Sequence, residues 1–137
     1  MRIERVSELD AALAVRAAVF VDEQGVSLAD EVDGRDLDCL HWLGRIDAVP
    51  VATLRVLPKG HDAKIQRVAV LKPFRMKGLG RNLMERAMSD LTEMGFRCAI
   101  LGAQTTALGF YERLGFEPYG PIYRDAGLSH RDMTRDL

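Results

Sequence analysis

From Val68 to Arg81 the chain reads Val-Ala-Val-Leu-Lys-Pro-Phe-Arg-Met-Lys-Gly-Leu-Gly-Arg. That is a short apolar strand (Val68, Ala69, Val70), a basic turn containing glycine, and the start of an amphipathic helix. Such a junction aims unspent backbone N–H groups and the positive end of a helix at one point, beside cationic side chains. This is the chemistry of pyrophosphate binding, although a Gly-x-Gly at a strand-to-helix junction is often only a tight turn. The spacing Arg-x-x-Gly-x-Gly, on Arg75, Gly78 and Gly80, excludes two other phosphate loops. A dinucleotide fingerprint would need a third glycine where Leu83 stands, and a P-loop would need Gly-Lys followed by Ser or Thr, which occurs nowhere. Within the segment, Met76, Lys77, Gly78, Leu79, Gly80 and Arg81 supply the candidate N–H groups, and Arg75, Lys77 and Arg81 add charge. A second cluster, Phe110-Tyr111-Glu112-Arg113-Leu114-Gly115-Phe116, carries one phenol, Tyr111, whose default role on residue types alone is packing.

Charge is unevenly distributed along the chain. Between Asp22 and Asp38 there are seven acidic residues against one arginine, whereas Lys72 to Arg81 holds four cations and no acid. The basic patch suits an anionic cofactor and the acidic one a cationic substrate, although a solvated loop is the plainer fate for most of those acids.

These groups need a scaffold, and periodicity supplies one. Arg2 to Val6 alternates as a first strand, and Ser7 is placed to cap a helix through Leu9, Leu13 and Val19. Gly25 and Gly34 mark an irregular stretch or short second helix. Leu40 to Ile46 and Val51 to Leu57 read as a strand pair joined at Asp47-Ala48-Val49-Pro50, with a further strand at Ile65 to Val70. Leu79, Leu83, Ala87 and Leu91 recur at helical spacing and Gly95 ends that helix. A buried strand at Cys98 to Leu101, a short helix at Thr106 to Leu114 and two last strands near Glu117 to Tyr123 and His130 to Thr134 follow. The order β-α-(α)-β-β-β-α-β-α-β-β predicts a mixed α/β fold in which an antiparallel meander feeds a parallel crossover.

Composition bounds the rest. At 137 residues, with 47% hydrophobic and 28% charged residues, the chain has the make-up of one soluble domain. Its apolar runs are too short to span a membrane, and Met1 to Val6 lacks the apolar core of a signal peptide. Cys39 and Cys98 show no metal spacing and read as reduced, buried thiols of a cytoplasmic protein. Three histidines without a His/Cys cluster argue against zinc. No aromatic residues interleave with basic ones outside the turn, so nucleic acid is a poor partner.

Together, the Arg75–Gly80 spacing and Phe-Tyr-x-x-x-Gly-Phe, each after a predicted strand and about thirty residues apart, resemble the two signatures of the GNAT acetyltransferase superfamily. Arg16 to Gln24, Glu31 to Asp36, His41, Arg67 and Gly127 to Met133 are similar to the ElaA-like branch, so the resemblance covers nearly the whole chain. Ser27 and Ser129 stand where that branch often carries proline.

The resemblance implies a mostly antiparallel central sheet of six or seven strands flanked by about four helices, with a splay between strands that admits acetyl-CoA as co-substrate. It implies direct transfer of an acetyl group to the amine of a small acceptor by a monomer or homodimer; the acidic run tilts that acceptor toward a cationic one, and the residue content calls for no metal. Val68, Ala69 and Val70 would bond the pantetheine arm as an extra strand does. Tyr111 would protonate the leaving thiolate; a phenol of pKa about 10 is a reasonable donor to a thiolate of about 8.5. A lysine-like amine, of pKa about 10.4, is deprotonated in roughly one molecule in a few thousand at neutral pH, so a general base is required. Glu31, Asp33, His41 and His130 are its candidates, with Glu31 and His41 carried as catalytic and Asp33 and His130 as substrate contacts. A hydrogen-bonded core role is equally open to His41. Arg67, in an apolar strand, reads first as an ion-pair partner and second as a contact to a substrate carboxylate. Gln104, at a strand end, is placed to bond pantetheine or acceptor, and Glu23 and Gln24 to shape the acceptor pocket. A catalytically silent acetyl-CoA sensor is the rival reading, and Tyr111 speaks against it, because binding alone needs no phenol beside the sulfur.

Overall fold

A computed structural model describes residues 1–137. Seven strands form one sheet in the order β1-β2-β3-β4-β5-β7-β6: β1 (Arg2–Val6), β2 (Leu40–Ile46), β3 (Val49–Lys59), β4 (Asp62–Val70), β5 (Cys98–Gln104), β6 (Glu117–Asp125) and β7 (Leu128–Asp136). Every neighbouring pair is antiparallel except β4 and β5. The β2–β3 hairpin turns at Asp47 and Ala48, both with positive φ (48° and 66°), a geometry whose twist matches that of the strands.

Four α-helices complete the fold: α1 (Asp10–Arg16), α2 (Leu28–Glu31), α3 (Leu79–Glu93) and α4 (Leu108–Arg113). Helix α3 forms because Leu79, Leu83, Ala87 and Leu91 line one face with Met84 and Met88, and all six are buried. They pack on Trp42, Val51, Leu54 and Ile65 in the main core. Val68 and Val70 lean against that core, while Ala69 joins Val15 and Val19 in a smaller cluster. Alternation along β4 thus puts α3 on one face of the sheet and α1 on the other. Trp42 is a core residue, fully buried, with its indole N–H donated to Asp90 Oδ2 at 2.9 Å.

Four local details depart from the sequence reading. Ser7 caps nothing: α1 starts at Asp10 without a side-chain cap. A π-helical stretch, Ala17–Glu23, continues α1. Ser27 instead caps α2, its Oγ accepting from Asp30 N at 3.1 Å. Both cysteines are half-buried, not buried. No helix is long and apolar enough to cross a membrane.

Candidate active site

Strands β4 and β5 pair only over Asp62–Lys64 and Cys98–Ile100. Beyond Lys64 and Ile100 they diverge, and a cleft of about 780 Å³ opens between them. Its cause is local. Thr53 pairs with Ala69 and Arg55 with Gln66, so Arg67 and Val68 both oppose Leu54. This β-bulge bends β4, and Arg67 takes a left-handed φ of 55°. Such backbone in a non-glycine residue is held only where surroundings enforce it, commonly at functional sites. From Ile65 onward β4 has no ladder partner on its β5 side, and Val68, Ala69 and Val70 line the cleft. An unpaired buried backbone group costs about 1–3 kcal/mol, so this edge is suited to an extended, amide-bearing arm laid along it.

At one end of the cleft stands the turn before α3. Met76 (φ 64°) and Gly78 (φ 78°) both take left-handed backbone, just ahead of the unspent donors of the first helical turn. The two glycines have different reasons. A Cβ on Gly78 would meet nothing within 4 Å, so its φ is the constraint; one on Gly80 would lie 3.3 Å from Phe110 Cζ and 3.6 Å from Val70 Cγ2. Gly80 therefore lets α3 pack against α4 and β4. The charges also differ from expectation. Arg75 gives its Nε to Val70 O (2.9 Å) and its two Nη groups to Glu23 (2.5 and 2.7 Å), bracing the turn against the end of the π-helical stretch. That hydrogen bonding holds the Glu23 carboxyl below its usual range and keeps it out of the cleft lining. Lys77 sits over the Phe74 ring, outside the lining, whereas Arg81 lines the cleft and pairs with Glu85 at 2.8 Å.

Replacing Gly78 with valine tests this turn. A left-handed L-residue costs roughly 1–2 kcal/mol, more when β-branched. We expect affinity for acetyl-CoA, measured by titration calorimetry, to fall about tenfold or more, since 1.4 kcal/mol is tenfold. An unchanged Kd would exclude the turn as the anchor.

The opposite end is framed by charge pairs. Arg16, 1% exposed, donates to Glu31 Oε1, to Glu31 O (3.2 Å) and to Asp36 Oδ1 (2.6 Å). Arg55, fully buried in β3, holds Asp33 (2.6 and 3.0 Å), Asp36 (2.9 Å) and the Gln66 amide oxygen (3.0 Å). The bonds from Arg55 hold Asp33 far below the usual carboxylate range. Burial pushes Asp36 up, but the bonds from Arg16 and Arg55 more than offset it. Arg67 reaches the Asp30 and Glu31 carbonyls at 3.1–3.3 Å and Asp33 at 3.4 Å, which is the ion-pair role anticipated for it. Across the cleft the Gln104 amide donates to Gln24 Oε1 at 2.9 Å, tying the end of β5 to the π-helical stretch.

The base candidates separate clearly. Asp33 and His41 are not among the lining residues; His41 is buried, with Nε2–H donated to Asp36 O at 2.8 Å. Glu31 lines the cleft, but Arg16 occupies its carboxylate. His130 lines the cleft too: its Nδ1–H donates to Leu128 O (2.8 Å), which leaves the Nε2 lone pair available. Tyr111 lines the cleft from α4, edge-on to Phe110 and Phe116 at centroid distances of 5.0 and 5.9 Å. Burial alone pushes its phenol well above the ordinary tyrosine range.

Sequence reading passed over three members of this end. Arg55 lies inside the apolar run Val51–Val56, the same signal that flagged Arg67. Tyr123, its hydroxyl donated to Asp132 Oδ1 (2.7 Å) and its ring stacked on His130 (5.9 Å), carries no sequence signal beyond being an aromatic on a strand. Lys64 lines the cleft from β4, one residue before the strand expected at Ile65 to Val70.

Comparison with known proteins agrees with this geometry. Residues 18–137 match the acetyltransferase (GNAT) domain family. Protein ElaA of Escherichia coli (strain K12) is 36% identical over 138 residues, covering 96% of this chain and 90% of that protein. The crystal structure of Escherichia coli ElaA superposes with a TM-score of 0.87 at 33% identity and 98% coverage of both chains. An acyl-CoA N-acyltransferase from Pseudomonas aeruginosa gives 0.87 at 31% identity, covering 98% and 99%. An aminoglycoside 6'-N-acetyltransferase complexed with coenzyme A shares the fold alone, with a TM-score of 0.79 at 12% identity over 99% and 97% of the chains. The chain belongs to the GNAT acetyltransferase family. Within it, the likeness to ElaA puts this enzyme in the ElaA-like branch, with acetyl-CoA as its acyl donor.

Proposed function

We propose that the enzyme transfers the acetyl group directly to the amine of a small acceptor, with Tyr111 as general acid and His130 as general base. The observation that carries this reading is the pairing, in one cleft, of a buried phenol with an imidazole whose Nε2 is free to accept. Bound acetyl-CoA supplies the acetyl group as a thioester, whose C–S bond breaks as the N–C bond to the acceptor forms. His130 Nε2 takes the proton that the amine loses, and Tyr111 Oη gives its proton to the departing sulfur. Val68 to Val70 hold the pantetheine amides, and the N–H groups from Met76 to Arg81 hold the pyrophosphate. No cysteine or serine lines the cleft, which favours direct transfer over an acyl-enzyme. Four of the seven acids between Asp22 and Asp38 are held by arginines, so the run as a whole does not select a cation. Asp30, outside any ion pair, and Asp125 still line the acceptor end and attract an ammonium.

The test is thiol release from acetyl-CoA across a panel of small amines, with wild type and His130→Gln. Amine-dependent release that drops about 10²-fold or more in the variant supports the base assignment. Undiminished release would place the proton with water and leave His130 as a wall of the pocket.

A further inference from the structure

Two cations at the acceptor end lack a full set of partners. Lys64 lines the cleft half-buried and takes part in no ion pair or side-chain hydrogen bond. Arg67 uses Nε and Nη2 on the Asp30 and Glu31 carbonyls and on Asp33, and Nη1 bonds nothing. Both stand on β4, at and just before the bulge that opens the cleft, and the strained φ of 55° at Arg67 holds that side chain at this place. Taking a cation partly out of water without a partner is unfavourable, so a negative group on the ligand gains by meeting it. Burial lowers the Lys64 pKa, and Lys59 adds to it, against the pull of Asp132 and Asp125, neither of which is in hydrogen-bond reach of the amine. Asp30 and Asp125 line the same cleft outside any ion pair, with Asp125 near enough to Lys64 to act on its charge. These unpaired groups are therefore of both signs, Lys64 and Arg67 Nη1 against Asp30 and Asp125.

We infer that the acceptor is an amino acid, its carboxylate held by Arg67 Nη1 and Lys64 while its amine lies toward Asp30, Asp125 and His130. The inference rests on the acetyltransferase reading and adds to it the class of acceptor. A polyamine would leave both cations facing like charge, which makes it a poor fit. A phosphate would bring two negative charges to a site that already balances.

Matched pairs test it. Each common amino acid and its carboxamide are offered separately to the full-length protein with saturating acetyl-CoA, alongside the corresponding decarboxylated amine and O-phosphoethanolamine. The amide's amine is the less basic and more often unprotonated, so simple reactivity favours the amide. We expect kcat/KM for at least one amino acid to exceed that of its amide tenfold or more, through KM. In Lys64→Met this ratio falls to near one. A ratio at or below one for every pair, or preference for the decarboxylated amine or the phosphoamine, overturns the inference while the acetyltransferase reading stands. Transfer to none of the pairs overturns it as well. Calorimetric titration with acetyl-CoA then separates the cases: retained binding preserves the family chemistry with another acceptor, and lost binding removes both readings.

Discussion

Tyr111→Phe lowers kcat by about 10²–10⁴-fold, the range for loss of a positioned general acid, with little change in the KM for acetyl-CoA. In barrier terms this is roughly 3–5 kcal/mol. The ring stays, so its edge-on contacts with Phe110 and Phe116 and the packing of α4 survive. Folding should not suffer, because burial is the only cause of the phenol's shift and no hydrogen bond to the hydroxyl is lost. The pH dependence has a definite sign. A general acid must be protonated, and burial raises the Tyr111 pKa, so its proton is retained through and beyond the ordinary tyrosine value of about 10. No loss of kcat below that pH is then attributable to Tyr111. The same apolar surroundings disfavour a thiolate, which keeps the transfer from phenol to sulfur feasible. Single-turnover thiol release for both proteins across pH 7–10 checks all three statements. Equal kcat in the variant would reduce Tyr111 to packing.

Arg16→Leu has the largest expected effect on stability. Arg16 and Glu31 are 1% and 2% exposed, and the substitution leaves the Glu31 carboxylate facing only Arg67 Nε at 3.9 Å. Breaking a buried pair by removing one partner costs about 3–5 kcal/mol. Against a total of about 5–15 kcal/mol for an ordinary domain, that is a large share. The thermal midpoint, followed by circular dichroism, should drop on the order of 10 °C or more. The double variant Arg16→Leu, Glu31→Leu removes the orphaned charge and should recover part of that loss, because an apolar pair of similar volume is often neutral. A single variant with an unchanged midpoint would show that Glu31 finds another partner or takes up a proton at little cost. The network also explains why a four-residue helix persists here. Helix α2 is far too short to be stable alone, and the Ser27 cap together with Arg16 and Arg67 holding its end fixes it beside the cleft.

How far the molecule was legible in advance depended on whether its determinants were local. The order of seven strands and three of the four helices followed from local pattern, α2 being left open as an irregular stretch or short helix, and the stripe on α3 places its N-terminus at the end of β4. The Arg75–Gly80 turn and the Phe110–Phe116 cluster were also local, and both line the cleft. Partnership between charges was not local. Arg16 meets Glu31 and Asp36 at separations of 15 and 20 residues, and Arg55 meets Asp33 at 22. No spacing rule reports such pairs, so an acidic run that looked like a surface for a cationic substrate is in large part neutralised inside the protein.

The sequence by itself determined the fold class, the basic glycine turn before α3 and the presence of a phenol behind a buried strand, because each arises from residues within a turn or two of one another. The tertiary structure decided which histidine lines the cleft, why each glycine of the turn is a glycine, and which charged side chains are paired with one another. Those outcomes depend on which side chains distant segments bring together, and on the bulge at Arg67 that parts β4 from β5.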